Sequence, residues 1–120
     1  MKIYIGADHR GVAFKEKIKK ILQKHHVQVI DVGAFDERNS CDYPKIAYKV
    51  ASQVVKGRHT RGILLCMSGI GQTIAANKVP GARAALCYNV ESAKLSRQHN
   101  NANILVLGAK FVKQKELARL

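Results

Sequence analysis

A cysteine followed by a glycine-rich turn is the part of this sequence best suited to chemistry, in the segment Cys66–Gly71 with residues CMSGIG. An apolar run predicts a strand that ends near Cys66, and a helix is predicted to start near Gly71. The backbone N–H groups at such a helix N-terminus are free to receive an anion. A thiol beside this positive end should have a lowered pKa, which would make it a usable base or nucleophile. The alternative of a buried structural cysteine stays open on spacing alone.

An acid, an imidazole and a guanidinium follow the first predicted strand directly, as Asp8, His9 and Arg10. Glycines on both sides of them permit a tight turn. The segment is not a Walker A phosphate loop, because Val12-Ala13 occupy the positions of its Lys-Ser/Thr pair. Two interpretations stay open: a polar ligand site, or Asp8 as a helix cap with His9 merely exposed.

The other histidines and cysteines are weaker candidates. His99 lies just after the predicted fourth helix, where a cationic imidazole would suit the negative helix end, so position alone favours a cap. Cys87 also ends a predicted strand, but Tyr88 follows it instead of a glycine-rich turn, which favours a structural role. Cys41 lies in the predicted long loop Ala34–Tyr43 and is interpreted as incidental. The three cysteines show no CxxC spacing, so neither a disulfide framework nor a zinc site is indicated.

Five apolar runs predict the strands that would position these residues. They are Lys2–Ala7, Gln28–Gly33, Arg61–Met67, Ala82–Tyr88 and Ile104–Ala109. Helical patterns separate the strands, and residues 113–120 are expected to start a fifth helix. This alternation predicts one three-layer α/β domain over residues 1–120, with a five-stranded parallel, Rossmann-like sheet and helices on both faces. Such sheets bind ligands at the carboxyl ends of their strands, where Asp8 and Cys66 are predicted to lie.

Local signals place the helices between the strands. An apolar stripe at helical spacing marks the first helix. The members of this stripe are Phe14, Ile18, Ile21 and Leu22. Pro44 can open the second helix, and the third is expected to end before Pro80. Asn89 can cap a fourth helix that runs to about Gln98.

Length and composition limit the classes of protein that this chain can be. Its 120 residues suit one domain, and its 47 % of hydrophobic residues exclude wholesale disorder. No run approaches the length of about 18 apolar residues that a membrane span needs, and Asp8 comes too early for a secretory signal. We therefore expect a soluble, cytoplasmic protein with reduced thiols. The formal net charge of +13 would attract polyanions or phosphorylated metabolites.

Five segments carry a resemblance to a known family. They are IGADHRG, VIDVGAF, CDYPKIA, RGILLCMSGIGQTIAANKVPGARAALCYN and SAKLSRQHNNANILVLGAK. These segments cover most of residues 2–110 in the expected order, and the motifs around the cysteine and SRQHNNAN are the most specific. On these residues the chain resembles ribose-5-phosphate isomerase type B and the wider family of sugar-phosphate isomerases that includes galactose-6-phosphate isomerase.

The resemblance implies reversible conversion of ribose 5-phosphate and ribulose 5-phosphate without a metal or cofactor. It implies that Cys66 moves a proton between C2 and C1 through an enediolate, and that His99 opens the furanose ring. The turn after Cys66 would donate N–H groups to the enediolate oxygens. The substrate contacts implied are Asp8, His9, Met67, Ser68, Gly69, Ile70, Gly71, Asn100 and Lys110. The family completes this site across a dimer interface, which implies a homodimer or a dimer of dimers.

Three departures from the family pattern bear on substrate binding. Lys110 stands where arginine is usual, which keeps the charge but loses the bidentate fork. Met67 stands where a glycine is common and could narrow the pocket. The family also continues through a C-terminal helix and a tail with phosphate-binding arginines, which have no counterpart in residues 1–120. We therefore expect weaker phosphate binding.

Other functions stay open beside this one. One alternative substrate is a six-carbon sugar phosphate such as allose or galactose 6-phosphate, although the pair of Cys66 and His99 favours a substrate that cyclises as a furanose. A family member without activity is a second alternative. The charge also permits a basic nucleic-acid-binding module. However, the basic residues are scattered over every helix, and the seven aromatic residues do not interleave with them.

Overall fold

The computed structural model describes residues 1–35 and 43–112, which form one sheet of five parallel strands with helices on both sides. The strands are β1 (Lys2–Ala7), β2 (Gln28–Asp31), β3 (Thr60–Cys66), β4 (Ala84–Leu86) and β5 (Ile104–Gly108). They lie side by side in the order β2-β1-β3-β5-β4, and each of these pairs is parallel. The predicted parallel sheet is therefore confirmed.

Helices connect the described strands. They are a 3₁₀ helix (His9–Gly11) and the α-helices α1 (Val12–Lys24), α2 (Tyr43–Lys56), α3 (Ile70–Ala76) and α4 (Val90–Asn100). None of the helices in the described ranges is long and apolar enough to cross a membrane. The fifth helix predicted at residues 113–120 lies outside the described residues, as do residues 36–42 with Cys41.

Burial on both faces places β3 at the centre of the domain. Ile63 and Leu65 pack in a cluster with α1, whereas Leu64 packs in a second cluster with α2 and with Ala76 of α3. Helix α4 contributes the partly buried Ala93 to the first cluster. Successive side chains of a strand point to opposite faces, so the continuous apolar run forms the middle of the predicted three layers.

The carboxamides of Asn77 and Asn103 bind the chain at the start of β4, which is shorter than predicted. Asn77 accepts from the Ala84 N–H at 2.8 Å and donates to the Ala84 carbonyl at 3.0 Å. Asn103 accepts from the Arg83 N–H at 2.8 Å. The Arg83 N–H bonds to a side chain, and β4 begins at Ala84 instead of Ala82. Helix α3 ends at Ala76, before Pro80 as predicted.

Helix α4 is longer than its pattern predicted. Asn89 caps it as expected, since its side chain accepts from the Ser92 N–H at 2.8 Å. The helix runs past its predicted end to Asn100, because Asn101 adopts the left-handed region with φ of 49° and closes the last turn. His99 therefore lies in the last turn of α4 and not after it.

Candidate active site

The carboxyl ends of the central strands meet at one edge of the sheet. Asp8 follows β1, and its N–H donates to the Leu65 carbonyl of β3 at 3.2 Å. Beyond β5, the Ala109 N–H donates to the Cys66 carbonyl at 2.7 Å. Because hydrogen bonding continues past the strand ends, Asp8, Cys66 and Lys110 share one edge, as expected of a parallel sheet.

The turn after β3 places backbone N–H groups around the Cys66 sulfur. The Gly69 N–H donates to Sγ at 2.9 Å, and the N–H groups of Ser68 and Gln72 also face the sulfur. Gly69 has a φ of 85°, in the left-handed region that suits glycine. A Cβ at this position would also lie 2.6 Å from Leu86 Cδ1. The geometry of the turn therefore requires glycine here.

The pKa of the Cys66 thiol is raised, so the prediction of a lowered pKa is wrong. Burial is the largest cause, because the thiolate loses its hydration at a residue that is 7 % exposed. The N–H groups of Gly69 and Ser68 lower the pKa, and the negative charge of Asp8 raises it further. Sequence reasoning counted the N–H groups but not the burial, which neighbouring strands impose.

Asp8 is a cap, which was one of its two predicted roles. Its Oδ1 accepts from the N–H groups of Arg10 and Gly11, both at 3.0 Å, and so caps the 3₁₀ helix and not α1. Asp8 is buried, and its charge acts on the Cys66 thiol. His9 is half-buried in the 3₁₀ helix. The capping hydrogen bonds therefore fix the Asp8 carboxylate near Cys66, so Asp8 is both a cap and a part of the site.

The other residues of the turn lie at its surface. Met67 and Ile70 are exposed, and the Ser68 hydroxyl accepts from the Ile70 N–H at 3.3 Å. Gly71 packs against Tyr43, since a Cβ on this glycine would lie 2.8 Å from the ring. Tyr43 belongs to the segment CDYPKIA, to which the sequence analysis assigned no role. The structure thus adds the Tyr43 ring to the wall of the candidate site.

Lys110 stands beside the turn. It is exposed, and its ammonium lies 6.0 Å from the centroid of the Phe111 ring. The preceding Gly108 packs so closely that a Cβ there would lie 2.3 Å from the Ser68 carbonyl oxygen. The end of β5 therefore packs directly against the turn, and the Lys110 charge lies at the edge of the site.

The structure does not bring His99 and Asn100 into the Cys66 turn. Both are exposed in the last turn of α4. Within the described part of the chain, neither side chain makes a hydrogen bond or ion pair with the turn. The position of His99 suits a cation at a negative helix end, although the cap itself is Asn101. The implied roles of His99 and Asn100 in the reaction stay predictions.

Gln72 is a residue of the site that sequence reasoning missed. Its side chain is fully buried, and its Nε2 donates to the Leu65 carbonyl at 2.9 Å. Its Oε1 has no hydrogen-bond partner among the described residues. The one signal in the sequence is a glutamine directly after the glycine-rich turn, and most glutamines near a helix start are solvated.

The described residues offer no metal centre: across both ranges, no group of three His, Cys, Asp or Glu side chains could hold a metal ion. The fold and the site define the class of protein: an α/β domain with a thiol and a turn of backbone N–H groups at the carboxyl edge of its sheet, where such sheets can hold a small anionic molecule. A family profile described as Ribose/Galactose Isomerase matches residues 3–120. The chain belongs to this family, and the resemblance found in its motifs is confirmed.

Individual relatives agree with the family. Ribose-5-phosphate isomerase B of Escherichia coli is 44 % identical over 119 residues, which cover 99 % of this chain and 78 % of the relative. The structure of Clostridium thermocellum ribose-5-phosphate isomerase B has a TM-score of 0.92 and 48 % identity, covering 97 % of this chain and 78 % of that one. The structure of Mycoplasma genitalium ribose-5-phosphate isomerase B, solved with bound ribulose-5-phosphate, has a TM-score of 0.89 and 40 % identity. The match covers 98 % of this chain and 78 % of that one.

Proposed function

We propose that this protein is a ribose-5-phosphate isomerase that interconverts ribose 5-phosphate and ribulose 5-phosphate through an enediolate. The observation that carries the proposal is the Cys66 thiol inside a turn of N–H groups, with the Gly69 nitrogen 2.9 Å from the sulfur. Family membership and a structural relative with bound ribulose-5-phosphate support this substrate. The reaction moves protons within one molecule, so it needs no electron acceptor.

Cys66 acts as the base at the substrate carbons. As a thiolate it removes the proton from C2 of open-chain ribose 5-phosphate, and the electron pair moves through C1 to the carbonyl oxygen to form the enediolate. The thiol then returns this proton to C1. The O2 hydroxyl loses its proton and O1 gains one, which completes ribulose 5-phosphate.

The turn after Cys66 stabilises negative charge at each stage. Charge begins on the sulfur and moves to the enediolate oxygen, and the N–H groups of residues 67–71 can donate to either atom. Because the pKa of the free Cys66 thiol is raised, only a small fraction is thiolate at neutral pH, but this thiolate is a strong base. Such a base suits the removal of a proton from carbon, which is a weak acid.

His99 opens the furanose ring before this chemistry. Ring opening removes a proton from the O1 hydroxyl and adds one to the ring oxygen, and an imidazole can exchange both protons near neutral pH. In our proposal the site is shared across a homodimer or a dimer of dimers, which brings the exposed His99 to the substrate. Exposed apolar side chains beside the turn support such an interface, since Ile70 is 51 % and Ile74 is 58 % exposed.

Polar residues at the sheet edge hold the sugar hydroxyls and the phosphate. They are Asp8, His9, Asn100 and Lys110. The positions of Asp8 and Lys110 at the edge shared with Cys66 support this assignment. The free thiols of Cys66 and Cys87 support our placing of the protein in the cytoplasm.

Initial rates with ribose 5-phosphate, ribulose 5-phosphate and allose 6-phosphate test the proposal. We expect turnover of both pentose phosphates, with kcat/KM for ribose 5-phosphate at least about tenfold above that for allose 6-phosphate. Faster turnover of the six-carbon sugar would establish a hexose-phosphate isomerase instead. Absence of turnover with all three substrates would contradict the assignment of isomerase activity.

A further inference from the structure

We propose that Gln72 is a positioning residue that holds the backbone of Cys66 in place, an inference that rests on the proposed function of Cys66 as the base. The backbone N–H of Gln72 is one of the groups that lower the pKa of the Cys66 thiol. Its side-chain Nε2 donates at 2.9 Å to the carbonyl of Leu65, in the peptide group that joins Leu65 to Cys66. One fully buried side chain of α3 therefore contacts the peptide group that carries Cys66.

The Leu65 carbonyl connects Gln72 to Asp8 and to the 3₁₀ helix. This oxygen also accepts from the Asp8 N–H at 3.2 Å, and a carbonyl can accept two hydrogen bonds. Gly11 packs so closely on it that a Cβ would lie 2.9 Å away. Gln72 and Asp8 are thus joined through one atom. The contact helps to set the position of the Asp8 carboxylate, whose charge acts on the Cys66 sulfur.

The other end of the Gln72 carboxamide argues against a purely stabilising role. Its Oε1 is buried and has no hydrogen-bond partner among the described residues. A buried polar atom without a partner destabilises the folded state, which offsets the hydrogen bond that Nε2 makes. A methionine would fill similar space without a buried polar atom. The amide therefore contributes to the geometry of the site more than to the stability of the core.

The charged groups near the sulfur come from other elements. Asp8 faces it from the end of β1, and the exposed Lys110 follows the end of β5. His99 is exposed on α4, and α3 carries no charged residue between Ile70 and Ala76. A neutral substitution of Gln72 therefore changes the geometry around the sulfur and leaves the surrounding charges in place.

Alkylation of Cys66 by iodoacetamide as a function of pH tests this inference without any sugar. Gln72→Met should loosen the turn and weaken its N–H donors to the thiolate. We expect the midpoint of Cys66 alkylation to rise by about half a pH unit, which is about threefold slower alkylation at neutral pH. In the proposed reaction kcat should fall about 3- to 10-fold with KM within about twofold. The melting temperature should stay within about 3 °C of the parent protein.

Controls separate positioning from general loosening. Gln53→Met changes an exposed glutamine of α2 and should leave the Cys66 profile unchanged. Cys87, followed in the same samples, reports loosening of the core. If Gln72→Met does not fold, Gln72→Asn takes its place, because this shorter neutral amide cannot reach the Leu65 carbonyl and should give the same rise.

An unchanged Cys66 profile in the variant that folds would overturn the inference, and so would an equal change in the reactivity of Cys87. A rise confined to Cys66 establishes the positioning role. If that rise is found in a protein that turns over no sugar phosphate, the positioning role stands and the proposed function fails.

Discussion

Two buried cysteines lie at the ends of the two strands that flank β5, and the chain beyond each of them is different. Cys66 is the last residue of β3, and Cys87 directly follows β4. Cys66 is 7 % and Cys87 is 1 % exposed, both are free thiols, and burial raises the pKa of each. After Cys66 the turn places the Gly69 N–H 2.9 Å from the sulfur. After Cys87 the chain enters α4 through the Asn89 cap, and the Cys87 thiol donates to the Ala85 carbonyl at 3.6 Å.

The comparison shows that a buried thiol at a strand end is not sufficient for a site. Hydroxyls of Ser92 and Ser96 lower the pKa of Cys87, but these groups belong to a helix that covers the sulfur. Cys87 packs in the core cluster with Phe14 and Leu107, which fits its predicted structural role. The glycine-rich turn is what distinguishes Cys66, because backbone N–H groups can stabilise negative charge beside an open sheet edge.

Removal of each thiol should give the largest difference between the two regions. Cys66→Ala should lower kcat at least about 100-fold, because the proposed base is lost. Cys87→Ala should leave kcat within about twofold. It should lower the free energy of unfolding by about 1 kcal/mol, because it removes a buried sulfur atom from the core. Steady-state rates and urea denaturation measure both effects. Similar losses of kcat in the two variants would break the comparison.

The pH dependence should be the next largest effect. Because the pKa of the free Cys66 thiol is raised, kcat/KM should rise between pH 6 and 8 toward about tenfold per pH unit, as the thiolate fraction grows. Because the pKa is raised, the folded protein binds the thiol proton more tightly than the unfolded chain does. This stabilises the protein fully below the unfolded-state pKa of about 8.5, and the contribution is lost as the pH rises through the folded-state pKa. Activity and stability should therefore move in opposite directions in the alkaline range.

The Cys87→Ala variant is the control for this profile and should keep the same rise in kcat/KM. A flat profile between pH 6 and 8 in the parent protein would show that the free thiolate of Cys66 is not the base.

Two glycines with positive φ allow the turn itself to be tested. Gly69 and Gly81 have φ of 85° and 90°, and a side chain in this region destabilises the fold by about 1–2 kcal/mol. Gly81→Ala should therefore lower the free energy of unfolding by about this amount, and Gly69→Ala by at least as much, because its Cβ also meets Leu86. Gly69→Ala should also lower kcat about fivefold to tenfold, because its Cβ meets Leu86 and displaces the N–H from the Cys66 sulfur. An equal loss of kcat in Gly81→Ala would contradict the role of the turn.

Lys110 should give the smallest effect. Its exposed ammonium is screened by solvent, so Lys110→Ala should raise KM by about threefold while kcat changes less. Michaelis curves at fixed ionic strength measure the change. Lys78→Ala, at an exposed lysine beyond α3, should leave KM unaltered. If both variants raise KM equally, the general basic field and not Lys110 attracts the phosphate.

Local patterns were sufficient to predict the elements and the outline of the site. The bounds of β1 agree with the apolar run Lys2–Ala7, and Asn89 caps α4 as its residue type predicted. The turn from Cys66 to Gly71 also lies where expected, between a buried strand and a helix start. Periodicity, caps and glycine turns depend on residues within one or two turns of chain, so they can be read without the fold. The motif segments likewise identified the family.

The tertiary structure decided the properties that depend on residues distant in sequence. The sign of the Cys66 pKa shift is the balance of burial against N–H donors, and the sequence contains the donors but not the strands that exclude water. The contact of Gln72 with the Leu65 carbonyl exists because α3 folds back onto the end of β3. The ring of Tyr43 meets Gly71 for a similar reason, since α2 and α3 pack on the same face of the sheet. Packing between elements, and not local conformation, therefore determines the pKa of the Cys66 thiol and the contacts around it.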